Sequence, residues 1–218
     1  MERKIPINQV RVALCGASGS GKSTLATFIS EFLGVPYTEN SAGLLLTPEQ
    51  QEMLVQKYGW TKTGHKDVIR LSNANPRFAW DFQMELLKTR SLFIAQSQSF
   101  VIDRSPVDNI AYFLLQTAHL VEPKVCDYFI ATATQAMEPI THLIYLPTGN
   151  TSKWVEENGS RIANYPYQRM VSSVFKHVIT EYMVNNFYFR GSFMEINVWD
   201  LDTRKNMLND WFLSTIEF

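Results

Sequence analysis

The run Gly16-Ala17-Ser18-Gly19-Ser20-Gly21-Lys22-Ser23 carries the strongest chemical signal in the chain. It fits the spacing G-x-x-x-x-G-K-[ST], in which small residues let the backbone wrap a phosphate group and turn its N–H groups inward. A helix beginning directly after it adds the positive end of its dipole. The spacing predicts Lys22 on the β- and γ-phosphates of a nucleotide. It also predicts the Ser23 hydroxyl as a Mg²⁺ ligand, with Thr24 as its neighbour.

Asp103 and Arg104 directly follow the apolar run 100–102. A carboxylate at the end of a buried strand can help hold Mg²⁺ or accept the proton of an attacking hydroxyl. The guanidinium beside it can fork onto an anion. An Asp followed by Arg, not by a second acid, favours phosphoryl transfer over a motor-type ATPase. Asp108 falls in the first turn of the next helix, where the dipole alone would favour a carboxylate. Glu39, after the run 35–38, is the other candidate general base, facing the cleft from across the phosphate loop. Asn40 and Ser41 beside it can hydrogen-bond an acceptor.

Residues 148–169 form a polar, Gly-containing stretch that holds Lys153, Arg161 and Arg169. Arg161 and Arg169 are expected to close as a lid over the transferring group and exclude water. Arg169 falls in the first turn of a helix opened by Pro166, where a cation opposes the dipole unless an anion comes to meet it. His65, Lys66, Arg77 and Arg90 read as solvated surface positions.

The elements that must position these groups alternate. Short apolar runs at 10–14, 35–38, 100–102, 142–146 and 193–198 read as strands. Helical spacing appears at 22–33, 48–58, 76–97, 107–117, 124–137, 166–186 and 204–213. Gly34 is placed to stop the first helix, and Thr47 with Pro48 to open the second. Residues 60–75 read as polar and irregular. Such alternation argues for βαβ units and a parallel sheet covered on both faces, with ligands beyond the carboxyl ends of the strands.

With 218 residues the chain is expected to form one domain, 1–218, with a lid at about 148–169. Twenty Lys plus Arg against 21 Asp plus Glu leave a net charge of −1, so no global basic field marks a nucleic-acid binder. A local basic groove remains open. The two cysteines, Cys15 and Cys126, are too few for a disulfide framework and read as reduced, which places the protein in the cytoplasm, or the host cytoplasm if viral. No run approaches a membrane span, so no membrane partner is expected. The histidines show no zinc spacing. A homodimer is among the assemblies the sequence allows.

Gly16 to Ser23, Glu39, Asp103-Arg104-Ser105-Pro106 with Asp108 and Tyr112, and then Arg161 and Arg169 together resemble the P-loop nucleoside and nucleotide kinases. The likeness is nearest to ribosylnicotinamide-kinase-like and thymidylate-kinase-like proteins, including those of bacteriophages. The resemblance implies ATP and Mg²⁺, a three-layer α/β/α fold with a mainly parallel five-stranded sheet, and a mobile lid. It implies transfer of a γ-phosphoryl group to a hydroxyl of a nucleoside- or nucleotide-type acceptor. One phage group of this kind phosphorylates 5-hydroxymethyluracil within DNA, so DNA as carrier of a modified-base acceptor stands as the alternative. A non-kinase NTPase or switch is the third reading.

Overall fold

The computed structural model describes residues 4–39, 45–62, 65–148, 164–184 and 189–218. Strands β1 (Ile5–Pro6) and β2 (Arg11–Cys15) precede helix α1 (Lys22–Leu33) and strand β3 (Tyr37–Thr38). Helices α2 (Pro48–Tyr58), α3 (His65–Ala74) and α4 (Pro76–Gln96) lead to β4 (Phe100–Ile102). Then come α5 (Pro106–Gln116), α6 (Pro123–Gln135), β5 (His142–Tyr145), α7 (Tyr165–Val178), β6 (Ser192–Glu195), α8 (Leu201–Thr215) and β7 (Ile216–Glu217).

The main sheet has the order β3-β4-β2-β5-β6, and every neighbouring pair is parallel. This is the mainly parallel five-stranded α/β sheet expected from the sequence. A separate parallel pair, β1 with β7, ties the two ends of the chain together. Alternation along β2 sorts the layers. Val12 and Leu14 pack with Leu25, Ile29, Leu208 and Phe212 of α1 and α8. Ala13 and Cys15 point the other way, to Leu87, Ile110, Phe113, Phe129 and Phe175 of α4 to α7. A two-residue period buried on both sides gives the three-layer α/β/α architecture.

Strands β3 and β4 lie to one side of β2, and β5 and β6 to the other. The chain therefore reverses its direction of winding at β2, and the phosphate-loop sequence leaves the carboxyl end of that strand. An open parallel sheet offers a crevice at this point.

Local chemistry sets the helix starts. Thr47 and Gln50 form a reciprocal capping box with Pro48 at the first turn, and Ser105 with Asp108 forms another. The Asn75 carboxamide accepts from the backbone N–H groups of Arg77 and Phe78 to open α4. Residues 60–75 are a correction: they include helix α3. Their apolar face is short, with Val68 and Leu71 packed against Leu54, Trp60 and Phe78, and its polar surroundings hide the period. Asp67 in its first turn accepts from the Thr61 N–H and hydroxyl and from Arg70. The helix expected over 166–186 is α-helical to Val178 and continues as a wider π-helical turn over Ile179–Val184. Among the described residues, no helix is long and apolar enough to cross a membrane.

Candidate active site

The loop after β2 is built on glycine conformations. Gly16, Gly19 and Gly21 have φ of 142°, 81° and 91°. Gly16 also has no room for a side chain, because a Cβ there would lie 2.3 Å from the Leu146 carbonyl oxygen at the end of β5. Gly21 caps α1, so the helix N-terminus opens directly from the loop.

Lys22 is buried at the base of this loop. Its Nζ donates to the carbonyl oxygens of Gly16 and Ala17, each at 2.8 Å, and to Ser20 Oγ at 3.4 Å. Burial and then the nearby Arg104 charge pull its pKa down to about 8, against the opposing pull of Asp108 and Asp103. The surroundings hold more positive than negative charge, with Lys22, Arg90 and Arg104 set against Asp103 and Asp108. An incoming anion completes such a cluster.

Ser23 and Asp103, predicted to act together, are brought together. Ser23 Oγ donates to Asp103 Oδ2 at 2.6 Å. Two hard oxygen donors from two elements, beside a phosphate cradle, suit Mg²⁺, which takes few protein ligands and completes its octahedron with water and phosphate oxygens. No cluster of three or more His, Cys, Asp or Glu side chains suited to a metal occurs among the described residues, so a soft or all-protein metal centre finds no support there.

Arg104 is part-buried. Its Nη1 lies 3.6 Å from Asp108 Oδ1, and its guanidinium stands 5.9 Å from the centre of the Tyr112 ring. Asp108 also accepts from the Ser105 N–H at 2.8 Å, so it caps α5 and anchors Arg104 at once. Its burial raises its pKa, while Arg104, Lys22 and Arg90 oppose the rise.

Glu39 is exposed just past β3, close enough for its charge to act on Tyr37. Because β3 lies beyond β4, Glu39 and Asp103 sit on the same side of β2, and not on opposite sides of the phosphate loop. Ser18, Gly19 and Ser20 stay in the loop, and Thr24 is exposed in the first turn of α1. Arg169 is exposed on α7 with its guanidinium 5.7 Å from the Tyr165 ring centre. Asn40, Ser41, Lys153 and Arg161 lie outside the described residues.

Sequence reasoning missed three contributors. Arg90, read as a surface residue, is buried; its Nη1 donates to Ser105 O at 3.3 Å and to Asn109 Oδ1. Its spacing with Leu87 and Ile94 on the buried stripe of α4 was the available signal. Arg204 of α8 donates through Nη1 to Ser20 O at 3.0 Å and through Nε to Val198 O at 2.6 Å, propping the loop from behind. Tyr37, on β3, stands close enough to Asp103 for burial and then that charge to raise its pKa to about 12. Nothing in the local sequence marks either of these last two.

The AAA domain family matches the chain over residues 11–195. No curated protein matches it. Among solved structures, the deoxyadenosine kinase of M. mycoides, with products dCMP and a flexible dCDP bound, aligns with a TM-score of 0.62 at 15% identity, covering 94% of this chain and 99% of that one. The thymidylate kinase of Candida albicans aligns with a TM-score of 0.58 at 13% identity, covering 94% and 92%. At these identities the likeness speaks to the fold.

Proposed function

The chain belongs to the AAA domain family and has the fold of the P-loop nucleoside and nucleotide kinases, and from that premise we propose that it is an ATP-dependent kinase with a nucleoside- or nucleotide-type acceptor. The observation that carries this reading is the Ser23–Asp103 contact of 2.6 Å beside the buried, anion-seeking Lys22.

In this reading Lys22 exchanges the carbonyls of Gly16 and Ala17 for the β- and γ-phosphate oxygens of ATP, and the loop N–H groups from Ala17 to Ser23 cradle the phosphates. Ser23 and Asp103 would hold Mg²⁺, which supplies charge neutralisation between the β- and γ-phosphates. The acceptor hydroxyl forms a bond to the γ-phosphorus while the bond from that phosphorus to the β–γ bridging oxygen breaks, and ADP departs. Asp103 takes the hydroxyl proton, with Glu39 as the second candidate for that step. Arg104, anchored by Asp108, would meet the charge that develops on the phosphoryl oxygens, and Arg161 and Arg169 are proposed to join it from a lid. The nucleoside and nucleotide substrates named for the structural neighbours supply the acceptor class.

The test is transfer from γ-labelled ATP to a panel of nucleosides, mononucleotides and DNA bearing 5-hydroxymethyluracil, with Lys22→Ala as the control. Label on a free nucleoside or mononucleotide, lost in the control, is the expected result. Label on DNA alone moves the acceptor to a base in phage-type modified DNA. Inorganic phosphate release with no labelled acceptor replaces the kinase by an NTPase.

A further inference from the structure

Arg204 lies near the start of α8 and is only 4% exposed. A cation at a helix start opposes the dipole. Burial adds to that cost, and no neighbouring charge offsets it. What holds the guanidinium is a pair of carbonyls: Nε donates to Val198 O at 2.6 Å, and Nη1 donates to Ser20 O at 3.0 Å. The Trp199 ring centre stands 4.7 Å from its central carbon. Val198 follows β6, whose exit is pinned by the Ile196 N–H bond to Tyr145 O at 3.0 Å. The fork therefore ties the phosphate loop to the sheet.

The fork grips the peptide between Ser20 and Gly21. A Cβ added at Gly21 would lie 3.0 Å from Arg204 Nη1, so the guanidinium packs directly against that peptide. A trans peptide is planar, with its C=O and N–H on opposite edges. Because the Ser20 carbonyl is turned toward Arg204, the Gly21 N–H is turned away from it. Gly21 is the N-cap of α1, a position whose N–H finds no partner inside the helix and is left for an anion.

Resting on the phosphate loop of the kinase reading, we infer that Arg204 is a positioning residue: its fork clamps the Ser20 carbonyl to the strand exit at Val198 and so aims the Gly21 N–H at a bound polyphosphate. It acts through the peptide and contacts neither the phosphates nor the acceptor. Geometry, not charge, is what it supplies. A lysine ammonium carries the same charge without the planar fork that spans two carbonyls.

Tripolyphosphate carries neither base nor sugar, so its binding, read by calorimetry without metal, probes the cradle alone. Arg204→Met keeps an unbranched stem and deletes the fork. Its affinity should fall about tenfold, the loss of one well-aimed hydrogen bond to a charged group. Arg204→Lys keeps the charge and should also lose affinity several-fold while thermal unfolding shows it folded. It carries the test alone if Arg204→Met does not fold. In turnover, KM for ATP should rise by a similar factor with acceptor KM unchanged. Wild-type affinity in Arg204→Lys makes charge alone sufficient and overturns the inference. A lowered Tm with unchanged tripolyphosphate affinity makes Arg204 a structural prop only, and overturns it too. Binding involves no phosphoryl transfer. A panel in which no acceptor is labelled therefore sinks the kinase reading and leaves the clamp, and unchanged affinity does the reverse.

Discussion

Ser23 Oγ donates to Asp103 Oδ2 at 2.6 Å across 80 residues of sequence, joining the first turn of α1 to the carboxyl end of β4. The bond depends on the parallel pairing of β2 with β4, in which Ile102 at the end of β4 lies opposite Ala13 of β2. Asp103→Asn preserves the side-chain shape and removes both charge and basicity. It should lower kcat by about 10²-fold or more. Glu39→Gln should cost less, because Glu39 is exposed past a two-residue edge strand and is held less firmly. Steady-state rates of the two variants decide: a larger loss in Glu39→Gln hands the base role to Glu39.

In the proposed mechanism Arg161 and Arg169 act as lid residues, on the reacting complex more than on nucleotide binding. Arg161→Ala and Arg169→Ala should each lower kcat while ATP affinity stays within a few-fold, since cations that close over the phosphoryl group meet charge chiefly in the transition state. Equal kcat in the wild type and both variants would remove the lid from the mechanism.

Much of this arrangement is legible in the sequence because it is local. The bounds of α1 and α2 follow from Gly34, Thr47 and Pro48, and the phosphate loop is a contiguous motif. Asp103 is legible because three buried apolar residues precede it. What escapes is tertiary. Arg204 reaches Ser20 from 184 residues away, and Tyr37 comes near Asp103 only because β4 inserts between β3 and β2. The same insertion puts Glu39 beside Asp103, where chain order had suggested opposite flanks. Helix α3 escapes for another reason: Val68 and Leu71 give it too narrow an apolar stripe.

Two glycines with positive φ should respond differently to substitution. At Gly16 an added Cβ meets the Leu146 carbonyl oxygen at 2.3 Å, and backbone cannot swing aside as a side chain can. Gly16→Ala should displace the loop and weaken ATP binding by at least about tenfold, together with a lower Tm. At Gly34, φ is 66° and nothing lies within 4 Å of the added atom. Gly34→Ala should cost only the left-handed backbone penalty of about 1–2 kcal/mol and leave ATP affinity unchanged. Thermal unfolding and nucleotide titration on both proteins test the contrast; equal ATP affinity in Gly16→Ala and wild type would count against the loop geometry.

Acid sensitivity should trace in part to His142, on β5 far from the phosphate loop. Its ring is buried, with Nδ1 2.9 Å from Thr141 Oγ1 and Nε2 3.0 Å from Thr215 Oγ1, and Trp211 and Phe212 of α8 stand edge-on to it. Burial alone lowers its pKa to about 4 from the ordinary 6.5, with no charged group contributing. Below pH 6.5 the unfolded chain binds a proton that the folded chain refuses, so folding stability must fall as the pH drops from 6.5 toward 4. A shift of this size corresponds to about 3 kcal/mol at the acid end of the window. Carboxylates titrate near the lower limit too, so the informative quantity is the difference from His142→Gln, which keeps hydrogen-bonding capacity without a titrating ring. Denaturant unfolding at pH 7.5, 6.5, 5.5 and 4.5 should show wild-type stability declining more steeply than that of the variant over the lower three values. Parallel curves for the two proteins would mean that His142 takes up its proton as readily folded as unfolded, and that the two threonine contacts do not exclude the imidazolium.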